Sequence, residues 1–503
     1  MINLFIIFLL AIFLRFLYFP DNIYFGYDQA RDAYAALEIL KGDLKLIGPS
    51  TSVEGLFHGV LYYYILAPLY LIGNLNPQFV ATVLKIFNAL GIFLIFYISK
   101  TVFDKKVGFL SALLFAISFE QTQFAMYMGN PSLAVLSVLL MYTGLAMIIF
   151  KQNNMGLPLA VLGLGFSIQF QFALAYLTLP FALLLIVFRK TFLTVSPKKW
   201  ISSIFLLFIS LSTFILAEIK YGFRTFNTLT TLGGAEKNIE NILNTYIFTL
   251  QKMVSFNLSD NLPIHNVILV VLILLFISFN KGYRKQLIFL SIWFFSIFST
   301  ILISGGVKNV INNTPLYYPN VGVSLALLIF VAFLISLVLN RSKVFAVVVI
   351  LLIIFSNLKM VVNLNPKGTI SEINVQQGML LSDEKKVLDY MYNESDDKLF
   401  AVKGVTMPFY INTTWSYLFE WYGQKKYGFV PVWNGKNAAG FPGNLKVQEQ
   451  QEGLPKHRFL IIEPTRGVPS YLIDEYLKEE NYFTNIVEEK KIGQFIVQKR
   501  RKF

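Results

Sequence analysis

The chain has 503 residues, of which 55% are hydrophobic and only 14% charged, and it contains no cysteine. A soluble protein carries about 25% charged residues, so this composition predicts a polytopic membrane protein, and the lack of cysteine excludes disulfides and thiolate chemistry. The formal net charge of +14 indicates positive-inside topology rather than nucleic-acid binding, because much of the Lys and Arg lies in short loops between apolar runs.

The first hydrophobic segment, residues 1–19, is interpreted as a retained span because it lacks a charged n-region and a small-residue cleavage site. A more polar stretch follows at residues 20–57, with a predicted helix from about Asp28 to Leu40. Later apolar runs lie at about 58–73, 78–99, 107–123, 131–150, 153–170, 172–188, 200–219, 264–280, 285–304, 316–340 and 344–361.

Basic loops set the predicted orientation. They contain Lys100, Lys105, Lys106, Lys151, the stretch from Arg189 to Lys199, Lys281, Arg284, Lys285, Arg341 and Lys343. If these loops face the cytoplasm, the N-terminus lies inside, residues 20–77 and 220–263 form outer loops, and the chain after about residue 361 lies outside.

One run does not fit this alternation as a full crossing. Residues 58–73 would form a helix of about 24 Å, shorter than a hydrocarbon core of about 30 Å. We therefore interpret this run as a juxtamembrane or partly inserted helix and residues 78–99 as the true span. The fold class predicted is an α-helical polytopic membrane protein of about eleven spans plus juxtamembrane helices.

The last part of the chain, residues 362–503, is more polar than the part before it. Strand patterns occur at Lys398–Val402, Phe459–Ile462 and Gln494–Gln498, and helical patterns at Asp383–Tyr392 and Ser470–Glu480. These patterns predict a small extracytoplasmic α/β domain. The predicted domains are thus a membrane domain at 1–361 and a soluble domain at 362–503.

Polar and ionisable residues gather near the predicted outer ends of helices, where burial at membrane depth is costly. Four segments carry most of them: Tyr27-Asp28-Gln29-Ala30-Arg31-Asp32, His58-Gly59-Val60-Leu61-Tyr62-Tyr63-Tyr64, Gly129-Asn130-Pro131-Ser132, and the segment from Ala217 to Thr225. Acids and bases on one face suggest a site for an anionic headgroup, with a carboxylate available as base.

The order and spacing of these segments resemble the GT-C type membrane glycosyltransferases, in the group that includes protein O-mannosyltransferases and the aminoarabinose transferase acting on lipid A. The resemblance covers roughly residues 1–340. It implies transfer of a hexosyl or pentosyl group from a polyprenyl-phosphate donor to a glycan, lipid or protein acceptor at the outer face of the cytoplasmic membrane. Membrane lipids are further partners, and no nucleic acid is expected.

Within this resemblance Asp28 is the predicted catalytic base for the acceptor hydroxyl. The alternative is that Asp28 is only the N-cap of the following helix. Asp32 lies one turn later on the same face and is interpreted as structural, as a partner of Arg31 or another cation.

The leaving lipid phosphate needs cations or hydrogen-bond donors to receive its charge. The residues assigned to substrate binding are Arg31, His58, Tyr63, Glu218, Lys220, Arg224, Tyr317 and Tyr318. As alternatives, Lys220 and Arg224 are ordinary interfacial anchors and the tyrosines belong to an aromatic belt.

The sequence departs from the family pattern in two places. Gly59-Val60 stands where a proline is expected after the histidine, and the third segment has no acidic residue, for which Glu120 is a weak substitute. Glu54 and His58 would share a helical face if they lay on a helix, but two ligands do not define a metal site. No cofactor and no metal are therefore assigned.

Two other functions remain open at this point. A lipid or solute transporter or flippase would be expected to show internal repeats and charges at mid-bilayer, and the sequence shows neither. A non-catalytic protein of envelope polysaccharide assembly would have the same membrane architecture without a catalytic base.

The topology is testable because the chain has no cysteine of its own. A single cysteine at Phe103 is expected to react with a membrane-impermeant maleimide only after the membrane is permeabilised, because positive-inside topology places this loop in the cytoplasm. Labelling of intact cells at this position would overturn the topology.

Overall fold

The computed structural model describes most of the chain. The described residues are 2–51, 53–233, 239–260, 263, 266–267, 269–271, 273–274, 282–299, 317, 320–372, 376–396, 398–436, 438–465 and 468–503.

The first three quarters of the chain are helical. The helices described there are α1 (Ile2–Phe16), α2 (Tyr27–Leu40), α3 (Leu61–Ile72), α4 (Pro77–Val102), α5 (Lys105–Ile117), α6 (Phe119–Met126), α7 (Asn130–Lys151), α8 (Gly156–Phe170), α9 (Thr178–Val187), α10 (Arg189–Phe192), α11 (Pro197–Lys220), α12 (Arg224–Gly233), α13 (Ile239–Asn257), α14 (Arg284–Phe294), α15 (Ser324–Arg341) and α16 (Lys343–Leu364). A short 3-10 helix at Phe172–Leu177 connects α8 to α9.

Among the described residues, five helices are long and apolar enough to cross a membrane, and the bent pair α5–α6 makes a sixth candidate. The five are α4, α7, α11, α15 and the segment Lys343–Lys367. Other predicted runs form apolar helices of 10–17 residues, such as α1 and α8, and much of the run 264–280 lies outside the described residues. The helical membrane-type architecture is confirmed, whereas the figure of about eleven spans stays a prediction.

The run 58–73 forms α3, which has 12 residues and is therefore about 18 Å long. A helix of this length does not span a core of about 30 Å, which agrees with its interpretation as a juxtamembrane helix. It packs against α2, the other helix of the segment 20–77.

The helix α6 is short, polar and completely buried. Ser118 ends α5 and caps α6, its hydroxyl accepting from the Gln121 N–H at 3.2 Å, and the two helices are bent by 56°. In α6 the Gln123 side chain donates to Asn365 Oδ1 at 2.8 Å and accepts from the Ile370 N–H at 2.9 Å. Buried amides must find partners, so α6 fixes the segment that leads from α16 to the C-terminal domain.

A small α/β domain follows this segment, as predicted. Its helices are α17 (Leu381–Glu394), α18 (Thr413–Leu418), α19 (Gln424–Tyr427) and α20 (Ser470–Phe483), and its strands are β1 (Phe400–Val405), β2 (Val432–Asn434), β3 (Val447–Gln448), β4 (His457–Ile462), β5 (Thr484–Ile492) and β6 (Phe495–Lys502). The described strands form one sheet in the order β3-β2-β1-β4-β6-β5. The β1–β2, β2–β3 and β1–β4 pairs are parallel, and β6 is antiparallel to β4 and β5.

The interior of this domain follows from strand alternation. On β1 the side chains of Phe400 and Val402 are fully buried, and Phe459 and Ile461 occupy the same face of β4, as the two-residue period of a strand requires. Aromatic rings pack across the pair, with Phe400 and Phe459 centroids 5.4 Å apart. The domain boundary at residue 361/362 stays a prediction, since the last apolar helix continues to Leu364.

The sheet is joined to the membrane part through α18. At the end of β4, the buried Glu463 carboxylate accepts from the Trp415 indole N–H at 2.9 Å. On α18, two residues after Trp415, the Tyr417 ring packs on Phe25 and Tyr34, with centroids 5.4 and 5.6 Å away. Its hydroxyl also donates to the Leu75 carbonyl at 2.7 Å. The C-terminal domain therefore packs directly on α2 and the segment around it.

The hydrogen bonds of α6 give a stability prediction. Replacing Asn365 by Leu leaves Gln123 Nε2 and the Thr122 hydroxyl without the partners they have at 2.8 and 3.0 Å. A buried polar group without a partner costs about 1–3 kcal/mol, so the thermal unfolding midpoint of the purified protein is expected to fall by several degrees. Asn393→Leu, on an exposed position of α17, is the matched control, and equal midpoints for the two variants would contradict the prediction.

Candidate functional site

The site is built on the first turn of α2. The chain enters it in extended conformation at Gly26, whose N–H donates to Gln29 Oε1 at 3.1 Å. Just before this point, the Phe25 N–H donates to the Met379 carbonyl at 2.9 Å, so the C-terminal domain helps to hold the start of the helix. Gly26 is the N-cap and Asp28 lies at the second helical position, so Asp28 does not serve as the N-cap.

Two carboxylates share one guanidinium on this turn. Arg31 Nη1 lies 2.7 Å from Asp28 Oδ1, and Arg31 Nη2 lies 2.7 Å from Asp32 Oδ1. The Asp32 side chain is 3% exposed, whereas that of Asp28 is 49% exposed. Arg31 therefore neutralises a buried acid on one side and orients an accessible acid on the other.

The two acids differ in electrostatics as well as in exposure. Burial raises the pKa of Asp32 to about 6, against the opposing effect of Arg31 and with a further raising contribution from Asp28. The Tyr63 hydroxyl on α3 hydrogen-bonds to Asp32. Asp32 thus has the structural place that the sequence indicated, and Tyr63 reaches the site by binding this acid.

His58 stands at the entry to α3 with a defined tautomer. Its Nδ1 accepts a hydrogen bond from the Phe172 N–H at 3.0 Å, so the ring proton of the neutral imidazole lies on Nε2. Burial, and after it the charge of Arg31, lowers the pKa of His58 to about 3. His58 is consequently a neutral N–H donor at physiological pH and not a cation.

The loop that carries His58 is not helical. Its backbone forms a bridge between Ser50 and Phe57, and Gly55 has a φ of +83°, a conformation that favours glycine. Glu54 and His58 therefore do not share a helical face. Within the part of the chain that the structure describes, no group of three or more His, Cys, Asp or Glu side chains is placed to hold a metal ion.

The segment after α11 supplies the opposite wall. The Glu218 carboxylate accepts from the backbone N–H groups of Thr225 and Phe226, both at 3.2 Å, so it caps the N-terminus of α12. Arg224 Nη2 lies 3.6 Å from Glu54 Oε1 on the exposed surface. Lys220 is exposed and lies over the Tyr221 ring at 5.4 Å.

A cavity of about 130 Å³ lies between these two walls. His58, Glu218 and Arg224 line it, together with apolar side chains that include Leu46, Ile47 and Phe214. The structure thus brings together three of the predicted binding residues, with Arg31 close enough to lower the His58 pKa.

Tyr317 has a different environment from the one predicted. Its hydroxyl donates to the buried Glu120 carboxylate, which also accepts from the Ser324 hydroxyl. The Gln121 side chain donates to the same carboxylate at 3.1 Å. Tyr317 and Glu120 therefore satisfy each other inside the helical bundle, and Tyr318 lies outside the described residues.

The sequence offered no signal for the contacts that the C-terminal domain makes here. The Tyr34 hydroxyl donates to Glu420 Oε1 at 2.7 Å, across 386 positions of chain. The Tyr27 and Phe441 rings meet with centroids 6.0 Å apart. Pairs so distant in sequence have no periodicity that would reveal them.

Part of this chain matches a family of known proteins. Residues 58–216, a range that includes His58 and Tyr63, match the family described as dolichyl-phosphate-mannose-protein mannosyltransferase. The matched range covers α3 to α10 and most of α11. No curated protein matches the chain.

Solved structures extend the likeness to nearly the whole chain. The structure of ArnT from Cupriavidus metallidurans bound to undecaprenyl phosphate is similar over 98% of this chain and 97% of that one, at 10% identity and a TM-score of 0.56. The Archaeoglobus fulgidus oligosaccharyltransferase, tethered with an acceptor peptide, is similar over 82% of this chain and 62% of its own, at 13% identity and a TM-score of 0.52.

These likenesses establish the fold. The chain has the fold of the GT-C type membrane glycosyltransferases, and the resemblance drawn from its sequence is confirmed. The likeness to ArnT also includes the C-terminal domain, which the sequence resemblance did not reach.

The raised pKa of Asp32 gives a prediction about pH. A buried acid whose folded pKa of about 6 exceeds its unfolded value of about 4 binds its proton more tightly when folded. Its contribution to stability is therefore greatest below about pH 4 and falls as the pH rises to about 6. The difference in unfolding midpoint, wild type minus Asp32→Asn, should decrease over this range and then level off.

Asp43→Asn provides the control for this experiment, because Asp43 is 65% exposed and pairs with Lys45 at the surface. An exposed ion pair contributes little to stability, so the control should unfold close to the wild type throughout the series. A flat curve for Asp32→Asn as well would contradict the assignment.

Proposed function

We propose that the chain is a polyprenyl-phosphate-dependent glycosyltransferase that works at the outer face of the cytoplasmic membrane. The observation that carries the proposal is the accessible Asp28 carboxylate, oriented by Arg31 at 2.7 Å on the first outer loop of a chain with the GT-C fold. The family match and the ArnT likeness support the donor class.

The proposed reaction is a single displacement at the sugar. The acceptor oxygen forms a bond to C1 of the donor sugar, the bond between C1 and the phosphate oxygen breaks, and its electron pair leaves with polyprenyl phosphate. Asp28 takes the proton of the acceptor hydroxyl, as a general base within hydrogen-bond reach would. Its exposure leaves room for the acceptor, which the buried Asp32 does not offer.

The departing phosphate needs charge and donors in the same place. The 130 Å³ cavity presents the neutral His58 imidazole, whose Nε2 carries the proton, and the guanidinium of Arg224. Lys220 lies two residues beyond Glu218, at the end of α11. Glu218 is occupied by the N-terminus of α12, so its role in the proposal is to position Arg224.

A separate apolar cleft offers space for a lipid chain. It has a volume of about 510 Å³ and is lined by side chains of α3, α4, α7 and α8, including Ile65, Phe87, Leu133 and Phe170. Phe170 lies two residues before Phe172, and the Phe172 N–H donates to His58. The proposed prenyl site and the proposed phosphate site therefore adjoin at the end of α8.

The transporter alternative loses support from the placement of two buried cations. Arg15 Nη1 donates to the Ala11 and Ala116 carbonyls, both at 3.2 Å, and Lys85 donates to the Arg15 carbonyl at 2.9 Å. The Arg15 and Ala116 carbonyls belong to the last turns of α1 and α5, where cations are favourable. Helix ends thus account for these charges without an ion pathway.

The remaining parts of the proposal concern orientation and substrates. We place the N-terminus in the cytoplasm and the C-terminal domain outside, from the basic loops, and assign a glycan, lipid or protein as acceptor. The proposed donor carries a hexosyl or a pentosyl group. Membrane lipids surround α11, whose apolar face is largely exposed.

The base assignment is tested by Asp28→Asn and Asp28→Ala in reconstituted protein. Loss of a general base costs about 10²–10⁴-fold in rate, so sugar transfer from radiolabelled polyprenyl-phosphate sugars should fall by about that factor while lipid donor still binds. Asp43→Asn, an exposed carboxylate on the same outer loop, should retain full activity. Wild-type rates in Asp28→Ala would defeat the assignment.

A further inference from the structure

A loop of the C-terminal domain reaches the catalytic turn. It comprises residues 438–444 and places the Phe441 ring against Tyr27, the residue before Asp28, with centroids 6.0 Å apart and planes inclined by 57°. Phe441 is 42% exposed, whereas Tyr27 is partly buried and has the Arg31 guanidinium over its ring at 5.6 Å. Of these two rings, Phe441 is therefore the more accessible.

This loop is held in place by a carboxylate that binds both domains. Glu420 accepts from the Tyr34 hydroxyl on α2 at 2.7 Å and from the backbone N–H and side-chain amide of Asn444, both at 3.0 Å. The Thr413 hydroxyl adds a bond to the Pro442 carbonyl at 2.6 Å. An exposed phenylalanine on a loop anchored in this way is presented in one orientation.

The chemistry of such a surface suits a sugar. One face of a pyranose ring carries C–H groups and packs on an aromatic ring, while its hydroxyls bind carboxylates and other polar groups around the edge. Phe441 provides the ring, and Asp28, half exposed and next in sequence to Tyr27, provides the carboxylate. A purely cohesive contact between domains would instead bury the ring, as it does Tyr417, which is 2% exposed.

We propose that Phe441 is the platform of a pyranose-binding subsite, formed between the C-terminal domain and α2, that holds a sugar ring beside Asp28. Glu420 is the positioning residue of this subsite, acting through Asn444 and Tyr34. The inference rests on the proposed function, which it deepens by naming a ligand class and a role for the C-terminal domain. The sugar belongs to the donor or to the acceptor, and the two sources differ in the probe that detects them.

The test uses the full chain in lipid nanodiscs and measures binding rather than turnover. The probes are undecaprenyl phosphate, the same lipid carrying a hexose, and a panel of methyl hexopyranosides. Phe441→Ala is expected to lower the affinity for a sugar-bearing probe by about tenfold, as loss of an aromatic stacking contact would, and to leave the affinity for the bare lipid unchanged. A lower affinity for the lipid-linked sugar shows that the bound sugar is that of the donor. A lower affinity for the methyl glycoside shows that it is that of the acceptor.

Three further variants distinguish a direct role of Phe441 in binding from an indirect effect on the structure. Phe441→Trp keeps an aromatic surface and should bind as the wild type does. Glu420→Gln should lower the affinity for the same probe as Phe441→Ala does. Its unfolding midpoint and its affinity for the bare lipid should stay unchanged. Tyr471→Ala removes an aromatic of 60% exposure on α20 and should have no effect.

The outcomes separate the two proposals. Wild-type affinity of Phe441→Ala for every probe overturns the subsite, and so does a wild-type protein that neither binds a methyl glycoside nor prefers the sugar-bearing lipid over the bare one. Sugar binding that depends on Phe441, in a protein that transfers no sugar from any polyprenyl phosphate, sustains the subsite and refutes only the glycosyltransferase.

Discussion

The pairing of Asp32 with Arg31 is the interaction on which the arrangement of the candidate site depends. A carboxylate that is 3% exposed is costly unless a cation and hydrogen bonds compensate it. Arg31 and the Tyr63 hydroxyl provide them, which ties α2 to α3. Since Arg31 also binds Asp28, the same pair orients the accessible acid. Structural and proposed catalytic roles are thus divided between two carboxylates one helical turn apart.

The candidate site also requires that the C-terminal domain keep a fixed position against α2. Buried amides of α6 hold the segment after α16, and Tyr417 packs α18 onto Phe25, just before α2, and onto Tyr34 of α2. The start of α2 therefore has helices on one side and the sheet domain on the other. A site at such a junction can use groups from both parts, and sites between domains are a common place for ligands.

Sequence reasoning succeeded where the signal is local. Apolar runs and their basic loops indicated the membrane class, and alternating patterns located the strands at β1, β4 and β6 within a few residues. It placed Asp28, Arg31 and His58 near one another because all three lie in or directly after the polar stretch at residues 20–57. It could not show that His58 is neutral, since that depends on the Phe172 N–H, nor that Glu218 caps α12.

By itself, then, the sequence determined the class of protein, the presence of an α/β tail, and the acid proposed as base, because composition, periodicity and short motifs are properties of neighbouring residues. Only the tertiary structure decided that Tyr317 turns to Glu120 and that Glu420 and Phe441 of the tail meet α2. Those contacts join residues separated by roughly 200 to 400 positions. They form only when helices and sheet pack, since the partners satisfy buried polar groups and cover apolar surface that no local pattern specifies.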